Sequence, residues 1–263
     1  MTDFWKQKFP DLIVEHKSST IWLRLNRPTK RNAYSVEMVD SLKKVFTELK
    51  SQHDIHLIFM TGMGKGFCAG GDLESMQNKT GMFAGDSAEL RDHYRFGLQE
   101  LTKLIWDCDK LIVGVINGPA AGAGCDLACM CDLRISSENA FFVEPFTKIG
   151  LVPGDGGSFF LPLVIGYARS MHMLMTGEKV NAKQALEWGL VSKVVKHDEL
   201  ENEAEKWGQE LLKRGQLATG MTKKALKDTV TRSLSSHLEL LAAFQGITQR
   251  SNEHQDFLDS LKQ

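Results

Sequence analysis

Residues 111–157 read LIVGVINGPAAGAGCDLACMCDLRISSENAFFVEPFTKIGLVPGDGG, and their opening constrains the fold most strongly. An apolar run at 111–116 has the length and composition of a buried strand. It stops at Asn117-Gly118-Pro119, and small residues then lead into a helix-like segment at 125–130. A strand that opens through glycine and alanine into a helix leaves the first helical amides unpaired, at the positive end of the helix dipole. Such amides can hold an oxyanion. The same pattern also suits a close-packed turn without a ligand. A second copy of the arrangement exists upstream: residues 56–61 (HLIFMT) form another buried-strand candidate, followed by GMGKGFCAGGDL at 62–73. Two such loops can supply one amide each to a single oxygen.

Other glycine-loop chemistries fit poorly. Gly62 and Gly64 are followed by Phe67 where a dinucleotide-binding fingerprint needs its third glycine, and Gly118, Gly122 and Gly124 have the wrong spacing. Gly64-Lys65 precedes Gly66 rather than Ser or Thr, which removes a P-loop. There is no G-x-S-x-G elbow and no H-E-x-x-H. A net charge of −1 over 263 residues provides no electrostatic case for nucleic acid or an anionic membrane, so the expected partner is a small molecule. The N-terminus lacks an apolar segment of signal-peptide length, no run approaches a spanning helix, and a cytoplasmic location is the expectation. Five cysteines, at 68, 108, 125, 129 and 131, lie mostly in apolar contexts. They read as buried thiols rather than disulfides or a zinc site.

In chain order, residues 12–14 and 21–25 are strand candidates, and Ser35 caps a helix whose apolar positions are Val39, Leu42, Val45, Phe46 and Leu49. The strand at 56–61 completes a β-β-α rhythm. Residues 74–86 show no periodicity and read as a mobile loop. Ser87 is expected to cap a continuous helix carrying Leu90, Tyr94, Leu98, Leu101 and Ile105 inward. After the 125–130 helix come strands at 133–136 and 141–143, helices at 158–165, 167–175 and 182–188, a strand at 191–195, and helices at 199–214, 221–234, 237–248 and 253–261.

The motifs GFCAGGDL (66–73), NGPAAGAGCDL (117–127), CDLR (131–134) and GLVPGDGG (150–157), with LNRP (25–28), Asn32-Ala33 and the segments at 176–177 and 182–191, resemble the crotonase (enoyl-CoA hydratase/isomerase) superfamily over nearly the whole chain. The resemblance implies an α/β fold, a crotonase-like spiral of β-β-α units over residues 1–195, with a helical C-terminal trimerisation region at 196–263. It implies an acyl-CoA thioester as substrate, coenzyme A being part of it, with no metal or redox cofactor. A homotrimer or dimer of trimers is the implied assembly, without nucleic acid or membrane partners. The helix after residue 87 would form a wall of the acyl pocket.

Carried over by motif position, Gly71 and Ala123 would donate the two oxyanion-hole amides. Lys30, Asn32, Ala33, Ala69, Asp72, Leu73 and Gly122 would line the coenzyme A path, although a lysine beside Arg31 is equally a solvated charge and Asp72 equally a turn residue. The tail pair Lys223 and Lys224 also resembles a phosphate contact, for which solvated lysines are the commoner explanation. Hydratases of the family use two glutamates. The first position is Asp126 here, one methylene shorter, and the second is Phe146, which transfers no proton. The candidate acid/base residues are therefore Asp126, Asp155 and Glu144. Asp126 can alternatively stabilise a helix N-terminus and Asp155 can cap the helix near Gly157. Strand alternation leaves Glu144 facing either way. The implied function is hydration or double-bond isomerisation through a thioester enolate, with a hydrolase, a dehalogenase or a non-catalytic acyl-CoA binder as alternatives.

Overall fold

A computed structural model describes residues 3–260. The chain folds in order as β1 (Leu12–Lys17), β2 (Thr20–Leu25), α1 (Val36–Leu49), β3 (Leu57–Gly62), α2 (Leu73–Asn78), α3 (Ser87–His93), α4 (Gln99–Asp107), β4 (Leu111–Ile116), β5 (Ala120–Ala121), α5 (Ala123–Met130), β6 (Leu133–Ser137) and β7 (Phe141–Val143). It continues through α6 (Gly157–Ile165), α7 (Tyr167–Thr176), β8 (Val180–Asn181), α8 (Ala182–Trp188), β9 (Lys193–Val195), α9 (Leu200–Leu212), α10 (Gln216–Asp228), α11 (Leu234–Thr248) and α12 (Asn252–Ser260). Six strands form one sheet in the order β1-β2-β3-β4-β6-β9, parallel except for the β1/β2 hairpin, and β5, β7 and β8 form a small second sheet. This is the α/β spiral expected from the motifs.

The central strands read as continuous apolar runs because both faces of the large sheet are covered. In β3, Ile58 and Met60 enter the main core with α1 and α5, while Leu57 and Phe59 pack on the other face with Trp22, Val113 and Val115, against Leu200 and Ala204 of α9. Gly208 lets α9 come down onto that face, since a Cβ there would stand 2.4 Å from the Phe59 ring. Gly114 does the same on the opposite side: its missing side chain makes room for Cys131 at the end of α5.

Several local expectations change. Residues 74–86 are not a mobile loop: Asp72 accepts hydrogen bonds from the Glu74 and Ser75 amides and starts α2, and a 3-10 turn follows at Gly81–Phe83. A helix this short shows no apolar stripe, so periodicity misses it. The cap of α3 is Asp86 rather than Ser87, because Asp86 and Glu89 close a reciprocal capping box. The predicted continuous helix is interrupted by a π-helical turn at Tyr94–Leu98, with Leu98, Leu101 and Ile105 buried as expected and Leu90 and Tyr94 half-buried. The predicted 221–234 helix is broken: α10 starts earlier and ends at Asp228, and Ser233 caps α11. The expected end of the last helix, Leu261, lies outside the described residues. All five cysteines are buried free thiols. Among the described residues no helix is long and apolar enough to cross a membrane.

The C-terminal helices are tied to the core by charge. Asp132, between α5 and the start of β6, accepts from the Ile112 amide at 2.7 Å and pairs with Lys223 Nζ at 2.6 Å. Lys223 also donates to the Lys110 carbonyl, and its side chain is 6% exposed. Removing one partner of such a pair leaves an unpaired buried charge. Asp132→Ala is expected to cost about 3 kcal/mol in urea unfolding and to expose α10 to limited proteolysis. An unchanged midpoint would show that α10 docks without this pair.

Candidate active site

The two glycine loops meet backbone to backbone. The Phe67 and Cys68 amides donate to the Pro119 carbonyl at 3.1 and 3.2 Å, and the Ala121 amide returns to the Cys68 carbonyl at 3.0 Å. A Cβ on Gly124 would stand 2.1 Å from the Cys68 carbonyl oxygen, and one on Gly70 would stand 2.9 Å from the Ala123 nitrogen. Side chains at these positions would force the loops apart. Buried Asn32 and partly exposed Asn117 brace the first loop. Asn32 Nδ2 donates to the Met63 and Gly66 carbonyls at 2.9 Å, and Asn117 Nδ2 donates to Gly62 and Gly64.

Gly71 and Ala123 therefore lie on adjoining strands of backbone. Ala123 is the first residue of α5, preceded by Gly122 at φ 53°, ψ −127°, a conformation reserved to glycine. Neither amide donates to an acceptor among the described residues. Met76 and Phe83 cover Gly71: a Cβ on it would stand 2.2 Å from the Met76 methyl and 3.4 Å from the Phe83 ring. The Phe146 ring lies against Gly122.

One turn into α5, Asp126 is fully buried, as is Glu144, and Asp155 is 4% exposed. The three candidate carboxylates, which the sequence left as alternatives, converge. Asp126 lies against both Asp155 and Glu144, and the Cys125 thiol lies against Glu144, while no N–H or hydroxyl among the described residues donates to the Asp126 or Glu144 carboxyl oxygens. Buried carboxyl groups this close favour sharing a proton over ionising together. Burial first, then the neighbouring charges of Asp155 and Glu144, pushes Asp126 well above the carboxylate range. Burial likewise raises Glu144 strongly and Asp155, against the lowering effect of each one's hydrogen bond to Asp126. Space for the cluster comes from Gly157, since a Cβ there would stand 1.9 Å from Asp126 Oδ1. Asp155 does not cap α6: the cap position is Gly156, without a side-chain bond, and the Asp155 carbonyl accepts from the Thr102 hydroxyl at 2.8 Å. The three carboxyls do not form a metal-binding group.

The remaining candidates lie along the first loop. Asp72 caps α2 and pairs with Arg27 at 3.2 Å, and its capping bonds and Arg27 hold its carboxyl below the usual range despite the opposing effect of burial, the largest single influence. Lys30 pairs with Glu74, which raises its pKa. The Asn32 side chain is spent on loop carbonyls and the Ala33 carbonyl on Arg27. Ala69 is half-buried, Leu73 is exposed and Gly122 is buried. Two tyrosines lie close to the cluster, Tyr34, which the sequence reading did not single out, and Tyr94, which it placed only as an inward residue of its helix. Burial and then the nearby Cys68, Asp155 and Asp126 raise buried Tyr34 well above its ordinary value; burial and Asp155 raise Tyr94, whose ring packs on Gly154. Neither sits in a motif, so no sequence signal marks them.

The enoyl-CoA hydratase/isomerase family model matches residues 15–262. The 1,2-epoxyphenylacetyl-CoA isomerase of Escherichia coli K12 is 32% identical over 94% of this chain and 93% of its own length. The crotonyl-CoA hydratase of Syntrophomonas wolfei is 32% identical over 91% and 90%. A crystal structure of enoyl-CoA hydratase from Bacillus anthracis shares the fold at TM-score 0.89 and 24% identity, over 96% of both chains.

Acid groups whose pKa is raised on folding contribute stability at low pH and lose it as pH rises from the ordinary carboxylate range through the folded values. Asp126→Asn removes one ionisation from the cluster. Its melting temperature is expected to exceed the wild type's by roughly a few °C at pH 8 and by less at pH 5. A destabilisation growing with pH would mean that Asp126 is held ionised.

Proposed function

The chain belongs to the enoyl-CoA hydratase/isomerase family, and we propose that it is an acyl-CoA enzyme that moves a carbon–carbon double bond through a thioester enolate. The observation that carries this reading is the joining of two unpaired amides to one proton-sharing carboxyl cluster, with an aromatic ring in place of the second acid. The thioester carbonyl oxygen accepts from the Gly71 and Ala123 amides, whose bonds strengthen as negative charge develops on it. Ionised Asp126 removes the α-proton of a β,γ-unsaturated ester and the electron pair moves onto the oxygen. Asp126 then returns the proton at the γ-carbon, leaving the α,β-unsaturated product. Asp155 and Glu144 hold the companion proton, and their proximity raises Asp126 and makes it a stronger base that can return the proton it has taken. Hydration would need a second group to hold water opposite Asp126, and Phe146 offers none.

The coenzyme A portion is part of the substrate and is assigned to the path along Ala69, Asp72, Leu73 and Gly122, with Lys30 and the Asn32-Ala33 bracket beside it. The region 196–263 is assigned to subunit contact in a homotrimer or dimer of trimers, a reading supported by α11, which buries none of its side chains and exposes Leu234, Leu238 and Ile247. The cytoplasm is the compartment assigned.

The test is mass spectrometry of a β,γ-unsaturated acyl-CoA incubated in heavy water. An isomerised, deuterium-bearing alkene is expected; a product heavier by one water would establish hydration instead. Ala123→Pro keeps the helix start, where proline is tolerated, and deletes one oxyanion donor. It should lower kcat by roughly 100- to 1000-fold, and Asp126→Asn should lower it by roughly 100-fold or more. Full activity in Ala123→Pro would remove that amide from the mechanism.

A further inference from the structure

The wall of the site formed by α3, the π turn and α4 carries an unusual row. Arg91, Arg95, Gln99 and Lys103 recur every fourth residue and line a groove of about 520 Å³ whose other side is Leu151 and Val152. Tyr94 and Gly154 close its inner end, and Gln99 Nε2 fastens the two walls by donating to the Gly154 carbonyl at 2.8 Å. The next residue, Asp155, belongs to the carboxyl cluster. The closed inner end of the groove therefore abuts the carboxyl cluster, and the groove runs outward from there.

Its charge is one-sided. No carboxylate lines the groove. Arg95 and Lys103 have no acidic partner among the described residues; Arg95 leans over the Phe96 ring at 5.5 Å, and Arg91 approaches only its neighbour Asp92, at 3.9 Å. Arg91 and Arg95, like charges four residues apart on this helix, repel, so the pair costs stability rather than adding to it. A purely hydrocarbon acyl tail would gain nothing from it. Four residues of helix advance about 6 Å, so Arg95 and Lys103 flank Gln99 about one turn to either side, and Gln99 is itself fastened to Gly154, the neighbour of Asp155.

We propose that the preferred substrate is an acyl-CoA whose acyl chain ends in a carboxylate, with the terminal carboxylate held between Arg95 and Lys103 and the methylenes against Leu151 and Val152. This rests on the acyl-CoA reading above and names the class of acyl group. Arg95 and Lys103 are specificity residues in it; they take no part in proton transfer.

The experiment compares a six-carbon β,γ-unsaturated acyl-CoA with the same chain ending in a carboxylate, using the full-length protein and the Arg95→Gln/Lys103→Gln double variant. Turnover and calorimetric binding are both measured. The expected result is a kcat/KM at least roughly tenfold higher for the carboxylate ester, carried by KM and weakened by salt. The double variant should abolish the preference while leaving the uncharged ester within about twofold, a pattern that a folding defect would not produce. Equal use of the two esters, or equal losses on both in the variant, overturns the proposal. If neither ester turns over but the carboxylate ester binds more tightly and loses that advantage in the variant, the substrate class stands and the catalytic reading falls. If neither ester binds, both fall.

Discussion

The close approach of two backbone loops is the constraint on which the rest depends. Cys68 and Gly124, and Gly70 and Ala123, come so near that no side chain fits between them. The loops can meet only because strands β3 and β4 are parallel neighbours in one sheet and end at the same edge. Glycine at 70, 122 and 124 costs conformational entropy on folding. The return is a pair of amides, Gly71 and Ala123, fixed on adjoining backbone and without acceptors among the described residues.

The second costly feature lies directly beneath. Three buried carboxyl groups destabilise a protein unless they share protons, and among the described residues no N–H or hydroxyl donates to Asp126 or Glu144, the Cys125 thiol against Glu144 being the one other donor that lies close. Burial and the neighbouring carboxyls raise their pKa values above the ordinary carboxylate range, which strengthens each as a base. The expense is borne by the sheet and by α6, where Gly157 yields its side-chain volume to the Asp126 carboxyl. Beside the cluster the Phe146 ring packs on Gly122 and adds no further group able to carry a proton.

Much of this was legible in the residues. The apolar runs and glycine turns marked β3, β4 and α5 and suggested one amide from each loop, and the family resemblance named Gly71 and Ala123 as that pair. Ser35 and the spacing of Val39, Leu42, Val45, Phe46 and Leu49 marked α1, and the structure caps and buries it accordingly. What periodicity missed were features without a stripe. α2 is held by one capping carboxylate, the π turn at Tyr94 is a change of hydrogen-bond partner, and the break after Asp228 falls where the pattern simply resumes in α11. The candidate carboxylates were found one by one, as rivals. Glu144 was ambiguous because a strand end can face either way.

By itself, then, the sequence determined the spiral class, the two glycine loops and the list of groups able to move a proton, because strand burial, glycine's backbone freedom and side-chain chemistry are local properties. Only the tertiary structure decided that Asp126, Glu144 and Asp155 are one cluster rather than three choices, and that Arg95 and Lys103 face a groove ending beside it. Those relations join residues from α5, from the end of β7 and from the α6 entrance, and from two turns of a helix packed across them. Their distances are set by how the sheets and helices stack, and no local pattern along the chain encodes that.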